Sequence, residues 1–248
     1  MVFFYAFGLS KPGSAADLGV ARGFFLIMWQ SSRMQVERAT ARPKPRLRGV
    51  SHLIAAIAAL PASVILFMHA ADEVAWSAAV YGSSVLGLLS SSALYHTPHW
   101  TPEKRMRLRR LDRSMIYILI AGSYTPFCVE LGGEPASVLL KIVWAAAMLG
   151  VVKSVAWTTA PRLITALPYV LLGWAVVPYA SDFYDALGQK VSWLIVAGGV
   201  LYTLGAVAYA RKSPDPFPAT FGYHEIFHLL VICALCCHYS AIWLFIGT

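Results

Sequence analysis

The stretch FGYHEIFHLLVICALCCHYSAIWLF, residues 221–245, decides the fold class of this chain. It is long enough to cross a bilayer as a helix, which takes about 20 predominantly apolar residues. The whole chain of 248 residues is 58% hydrophobic and only 13% charged, whereas a soluble domain carries about a quarter charged residues. The sequence therefore predicts an all-α integral membrane protein and excludes a soluble globular domain.

Further apolar runs of spanning length precede this one, and short loops join them, so we predict one bundle of seven transmembrane helices over residues 49–248. The predicted spans are Val50–Ala71, Val74–Tyr95, Ser114–Leu131, Ala136–Trp157, Leu163–Ser181, Val191–Ala210 and Phe221–Phe245. Residues 1–48 are predicted to form an N-terminal cytoplasmic segment that is partly disordered or interfacial, because the apolar run Phe24–Trp29 is too short to span a bilayer.

The charged residues predict the orientation of these helices. Arg and Lys cluster before the first span and between the second and third, whereas acids such as Asp72 and Glu73 occupy the opposite loops. Because positively charged loops stay in the cytoplasm, we expect a cytoplasmic N-terminus, an outside C-terminus and a location in the cell inner (plasma) membrane. We therefore attribute the net charge of +8 to the orientation of the helices in the membrane and to contacts with membrane lipids. Nucleic acid is not an expected partner, and the oligomeric state is left open.

A few polar residues from separate spans are expected at one depth. His96 ends the second span, Asp112 lies at the mouth of the third, and His224 and His228 lie one turn apart at the start of the seventh. With a rise of about 1.5 Å per residue, all four fall near the cytoplasmic side. Ionisable groups inside a membrane are costly and mark functional sites, so we predict a site here.

Three imidazoles with one open coordination position are typical of catalytic zinc sites. We therefore predict Zn²⁺ as the cofactor, with His96, His224 and His228 as ligands. Asp112 would accept a hydrogen bond or a proton from an activated water. Ser92, one turn before His96 on the same face, would bond that water, the carboxylate or a substrate oxygen, so Asp112 and Ser92 are the predicted catalytic residues.

The remaining histidines and the cysteines do not fit this site. His52 is expected at the membrane interface rather than as a ligand, and His238 lies about 15 Å farther across the bilayer than His228. His69 is at the outer end of the first span, and His99 is in the basic loop. The four cysteines, of which Cys233 and Cys236 form a C-x-x-C, are interpreted as helix-packing residues.

Four segments carry a resemblance to a known family. Ser92–His96, Leu111–Phe127, His224–His228 and the opening Pro45–His52 resemble the bacterial hemolysin III family, the prokaryotic branch of the progestin and adiponectin receptor superfamily. That superfamily is related to the alkaline ceramidases. The resemblance covers roughly residues 45–246.

The resemblance implies seven helices with a cytoplasmic N-terminus and a zinc ion near that side. It implies His96, His224 and His228 as zinc ligands, with Asp112 holding a water on the metal and Ser92 supporting it. The ceramidase relatives hydrolyse a lipid amide, and the bacterial family takes its name from a reported cytolytic activity.

Three functions remain open at this point. The first is a zinc-dependent hydrolase of a lipid amide or ester. The second is an intramembrane metalloprotease, because His224-Glu225-Ile-Phe-His228 also satisfies H-E-x-x-H, with Glu225 as the base. The third is a non-enzymatic protein with structural zinc, whose role is membrane homeostasis, receptor-like signalling or cytolysis.

Overall fold

A computed structural model describes residues 44–247, and these residues are almost entirely helical. The helices are α1 (Val50–His69), α2 (Ala75–His96), α3 (Pro102–Leu131), α4 (Gly133–Ala156), α5 (Arg162–Gly173), α6 (Ala180–Arg211) and α7 (Tyr223–Ile246), with a 3₁₀ turn at Val177–Tyr179. Between residues 44 and 247 the β pairing is limited to one isolated bridge, Phe217 with Phe221. The predicted interfacial run Phe24–Trp29 lies outside the described residues.

Six stretches of this region are long and apolar enough to cross a membrane. They are α1, α2, α3, α4, the stretch Arg162–Arg211 and α7. Helix α1 is the most exposed of them, with 11% of its most apolar window buried, and its exposed face carries Ile54, Ile57 and Leu60. A helix that is apolar on its exposed face is stable in lipid rather than in water, so the prediction of an all-α, multi-pass membrane protein is confirmed.

Helix α3 begins earlier than predicted. It starts at Pro102 rather than at Ser114, because Thr101 caps it by accepting a hydrogen bond from the amide of Lys104 and proline is favoured in the first turn. The basic run that was expected to form a loop is therefore helical. Asp112 consequently lies well inside a helix, not at its mouth.

The stretch Arg162–Arg211 contains a reversal of chain direction. Arg162 at the start of α5 donates to the carbonyl oxygen of Tyr209 at 3.2 Å, and Trp174 after α5 donates to Thr203 at 3.0 Å. Helix α5 thus runs antiparallel to the second part of α6. Gly188 is the non-helical residue inside α6, with φ +75° and ψ 165°, a conformation open almost only to glycine.

Helices α2 and α3 form the buried centre of the bundle, because small residues let their neighbours approach. Gly82 of α2 faces α1 so closely that an added Cβ would lie 2.8 Å from the Cβ of Ser63. On the other side of α2, Gly122 of α3 contacts Ser84. Small residues at helix crossings are the usual device for close packing in membranes, and here they bring α1 and α3 close to the first half of α2.

Candidate metal centre

Three histidines from two helices come together at one end of the bundle. His96 is the last residue of α2, and His224 and His228 occupy the first two turns of α7. One donor atom from each lies within 4.8 Å of the others. The Nε2 atoms of His96 and His224 are 3.1 Å apart, and the ring centres of His228 lie 5.0 Å from His96 and 4.6 Å from His224. The convergence predicted for these three residues is confirmed.

Local sequence explains why the histidines reach this position. Helix α7 starts at Tyr223 with Gly222 as its N-cap, and the amide of Gly222 donates to Oε2 of Glu225 at 2.8 Å. This capping box fixes the first turn, so His224 and His228, four residues apart, project from the same face. Gly49 packs against His96 with φ +83°, and an added Cβ there would lie 2.6 Å from the Cβ of His96. Only glycine fits at this point.

The donor set fits a metal ion. Two nitrogen ligands of a tetrahedral zinc, each bound at about 2.0–2.1 Å, lie roughly 3.3 Å apart, close to the observed 3.1 Å between His96 and His224. The Nδ1 atom of His228 is buried without a hydrogen-bond partner between residues 44 and 247. Imidazole ligands suit zinc, copper, iron and nickel, so the geometry supports a metal centre without selecting the metal.

The two predicted catalytic residues lie on neighbouring helices. Ser92 is buried in α2, one turn before His96, and Asp112 is half-buried in α3. The side chain of Ser92 interacts with the carboxylate of Asp112. The carboxylate of Asp112 is not in the close group of three imidazole donors found among the described residues, so the catalytic role of this pair stays a prediction.

Residues 40–239 match the sequence profile of the family described as haemolysin-III related. The chain belongs to this family. It is 34% identical over 188 residues to Hemolysin-3 of Bacillus cereus, which covers 74% of this chain and 83% of the relative. It is 27% identical over 206 residues to the human monocyte to macrophage differentiation factor, covering 78% and 80% of the two chains.

The chain is also similar to an adiponectin receptor. The Adiponectin receptor protein of Drosophila melanogaster is 28% identical over 219 residues, covering 77% of this chain and 48% of the relative. The predicted membership of the hemolysin III family, within the superfamily of progestin and adiponectin receptors, is therefore confirmed.

Glu225 of this haemolysin-III related protein is held by two partners. It is 2% exposed and forms an ion pair with Nε of Arg48 through Oε1, while Oε2 accepts from the amide of Gly222. Both oxygens are therefore occupied in helix capping and charge pairing. Sequence reasoning missed Arg48, because an arginine in a basic lead-in to a span carries no sign that it pairs with a buried acid.

His52 also differs from expectation. Instead of lying at the membrane interface, it is 2% exposed, and its ring stacks on that of His228 with centres 3.8 Å apart and planes 6° from parallel. It contacts the face of the His228 ring and is not one of the three close donors. His52 lies at the start of α1, at the end of the bundle where the three histidines meet. This position could have indicated its contact with His228.

Residues 44–49, which we call the strap, connect the loops that flank the metal centre. Lys44 donates from Nζ to the carbonyl oxygens of Thr97 and Pro98, at 2.7 and 3.3 Å. The amides of Arg46 and Leu47 donate to the carbonyl oxygens of residues 219 and 220, at 3.1 and 3.2 Å. The strap therefore links the chain after His96 to the chain before His224.

Proposed function

We propose that this haemolysin-III related protein is a zinc-dependent intramembrane hydrolase of a lipid amide or ester. The observation that carries the proposal is the group of three imidazole donors within 4.8 Å of one another, supplied by helices α2 and α7. His96, His224 and His228 would hold the ion and leave a coordination position open, as in catalytic rather than structural zinc sites.

Zinc held in this way supplies a Lewis acid and activates water at neutral pH. The protein side chains would then move the proton. Asp112 would accept a proton from the attacking water and pass it to the departing nitrogen or oxygen. Ser92, which interacts with Asp112, would orient the carboxylate by donating its one hydroxyl proton to it. Once Asp112 has taken up the proton of the water, that hydroxyl would be free to donate to the substrate oxygen, where negative charge develops.

We further propose seven crossings with a cytoplasmic N-terminus. The stretch Arg162–Arg211 has 50 residues, far more than the roughly 20 of one crossing, and its two ends run antiparallel. Counting it as two crossings gives seven. The histidines would then lie near the cytoplasmic leaflet, where an amphiphile can enter from the bilayer. A phosphatase fused at the C-terminus should be active, and an inactive fusion would refute this orientation.

Hydrolysis of extracted membrane lipids tests the proposed reaction. Purified protein with bound zinc is expected to release a fatty acid or a lipid amine, detected by mass spectrometry. Asp112→Asn should lower the rate at least about 100-fold, the usual contribution of acid–base catalysis, with zinc content unchanged. Asp182→Asn, at an exposed position, is the matched control. Full activity in Asp112→Asn would contradict the role of Asp112.

The two alternative functions make different predictions. A metalloprotease needs Glu225 as a free base, but both of its oxygens are engaged by Arg48 and Gly222, which argues against this function. A receptor-like, homeostatic or cytolytic protein with structural zinc would keep its cellular effect in the Asp112→Asn variant. It would lose that effect when the zinc-binding histidines are replaced. That pattern would replace the hydrolase proposal.

A further inference from the structure

Several positively charged side chains lie next to the metal centre. Lys44 donates to the carbonyl oxygen of Thr97, the residue after His96. The guanidinium of Arg105 lies 5.9 Å from the ring centre of Tyr95, and that ring lies 4.4 Å from the ring of His96. Two cations from separate segments, the strap and α3, therefore reach the same histidine.

Arg109 adds a third cation, one helical turn beyond Arg105. It is half-buried and interacts electrostatically with Tyr95 and Tyr209, and the ring of Tyr209 lies 5.7 Å from that of His224. We call Lys44, Arg105 and Arg109 the basic rim. Like charges four residues apart on a helix repel, so this arrangement costs free energy unless an anion compensates it.

The carboxylates near the rim are already engaged. Glu225 pairs with Arg48, and Asp112, which interacts with Ser92, lies within electrostatic range of both Arg113 and Arg109. Within residues 44–247, the side chains of Arg105 and Arg109 form no ion pair and donate no hydrogen bond. A half-buried charge without a counter-ion is destabilising. Asp112 is shared between Arg109 and Arg113, so the rim still carries more positive than negative charge.

Lys44 of the strap is also surrounded by an excess of positive charge. Burial, together with the neighbouring charges of Arg105 and Arg48, lowers the pKa of Lys44. Topology alone does not require such crowding, because Arg107, Arg211 and Lys212 lie on the same end of the bundle and are exposed. Charges that serve only the positive-inside rule can stay in solvent, as these three do.

We propose that the basic rim binds the phosphate group of an anionic lipid and so presents that lipid to the metal centre. Guanidinium groups match the oxygens of a phosphate with paired hydrogen bonds, and a doubly charged phosphate monoester balances most of the charge of the three cations. The proposed phosphate-binding site depends only on the positions of the three cations of the basic rim. Its consequence, that the hydrolysed lipid carries a phosphate, rests on the proposed function.

Binding of ether-linked phosphatidic acid to the full-length protein in detergent tests this proposal, because that lipid has no carboxylic ester or amide for the proposed hydrolase to cleave. Native mass spectrometry should show it bound at least about tenfold more tightly than ether-linked phosphatidylcholine, the size expected for charge-assisted hydrogen bonds. Arg105→Gln and Arg109→Gln should each weaken this binding about tenfold. Arg107→Gln, an exposed cation on the same helix, should leave it unchanged.

Equal losses in Arg107→Gln and Arg105→Gln would overturn the proposal, since the attraction would then belong to the whole charged surface. Lys44→Gln, outside the helices, and Arg105→Lys, which keeps the charge, are further variants should a glutamine variant fail to fold. Lys44→Gln should weaken binding, and Arg105→Lys should retain most of it. Equal affinity of the wild-type protein for the two lipids would also refute phosphate binding at the basic rim.

Inorganic phosphate and zinc content separate the remaining outcomes. Millimolar phosphate should not displace the lipid; displacement would identify free phosphate as the ligand and overturn the lipid assignment. Zinc is measured on the same samples. If the protein selects the anionic lipid but contains no zinc, phosphate binding at the basic rim is supported and the hydrolase proposal is refuted. If it contains zinc but does not select the lipid, only the phosphate-binding proposal is refuted.

Discussion

At the scale of single residues, the metal centre depends on neighbours that themselves donate nothing to a metal. Glu225 is placed next to His224 by its pairing with Arg48 and by the cap at Gly222. His52 supports His228 from behind its ring. These residues hold the histidine rings in position, so replacing them should change metal affinity and stability before it changes chemistry.

Arg48→Gln should destabilise the protein by about 3 kcal/mol, because it leaves the buried carboxylate of Glu225 without its counter-ion. The double variant Arg48→Gln with Glu225→Gln removes both charges and should recover much of this loss, which a double-mutant cycle on thermal unfolding in detergent would measure. If the two losses simply add, the pair contributes no coupling. Loss of hydrolysis in Glu225→Gln, with zinc and stability intact, would instead make Glu225 the catalytic base.

Replacing His52 tests whether it packs or coordinates. His52→Phe keeps an aromatic ring against His228 and should bind zinc with nearly wild-type affinity. His52→Ala opens a cavity beside the ring and should weaken zinc binding about tenfold, in line with other residues that orient metal ligands. Competition with a fluorescent chelator gives both affinities. Complete loss of zinc in His52→Phe would show that His52 is a ligand.

Sequence reasoning found the three donors because membrane depth is readable from helix periodicity and charge alternation. It put His52 at the interface because depth alone does not say which face of α1 turns inward. It could not find the Arg48–Glu225 pair, since a pairing between residues far apart in the chain depends on how the strap folds back over α7. Local patterns predict which residues share a level, whereas contacts between segments need the packed structure.

At the scale of helices, spans bounded by short loops were predicted within a few residues, as for α1, α2 and α7. The start of α3 was missed because its first turns are basic, and hydropathy responds only to the apolar part of a helix. The cap at Thr101 was the available signal. The region after Arg162 was harder, because residues 182–190, which are mostly polar and were predicted to lie between two spans, belong to α6.

Gly188→Ala should lower stability by about 1–3 kcal/mol, the cost of placing a residue with a side chain in this backbone conformation. An added Cβ would meet no atom within 4 Å, so the loss should come from the φ of +75° alone. Gly173→Ala is the matched control, since its Cβ also meets nothing and its φ is not positive. Equal thermal stability of the two variants in detergent would contradict a tight turn at Gly188.

At the scale of the whole molecule, the protein concentrates its polar chemistry at one end of an apolar bundle. The strap, the basic rim and the three histidines all lie where α2 ends and α7 begins, and many large apolar side chains elsewhere are exposed, such as those of α1. A metal centre near one membrane surface suits a substrate that is itself amphiphilic, with its polar group at the rim and its chains in the bilayer.

Metal content is the most direct test of the account. Detergent-purified protein, prepared without chelators, should contain about one zinc per chain by elemental mass spectrometry, as expected for a single three-histidine site. His96→Ala, His224→Ala and His228→Ala should each lose it, while His99→Ala, at an exposed position outside the cluster, should keep it. A metal-free wild type, or zinc retained in all three histidine variants, would contradict the metal centre on which the proposed function rests.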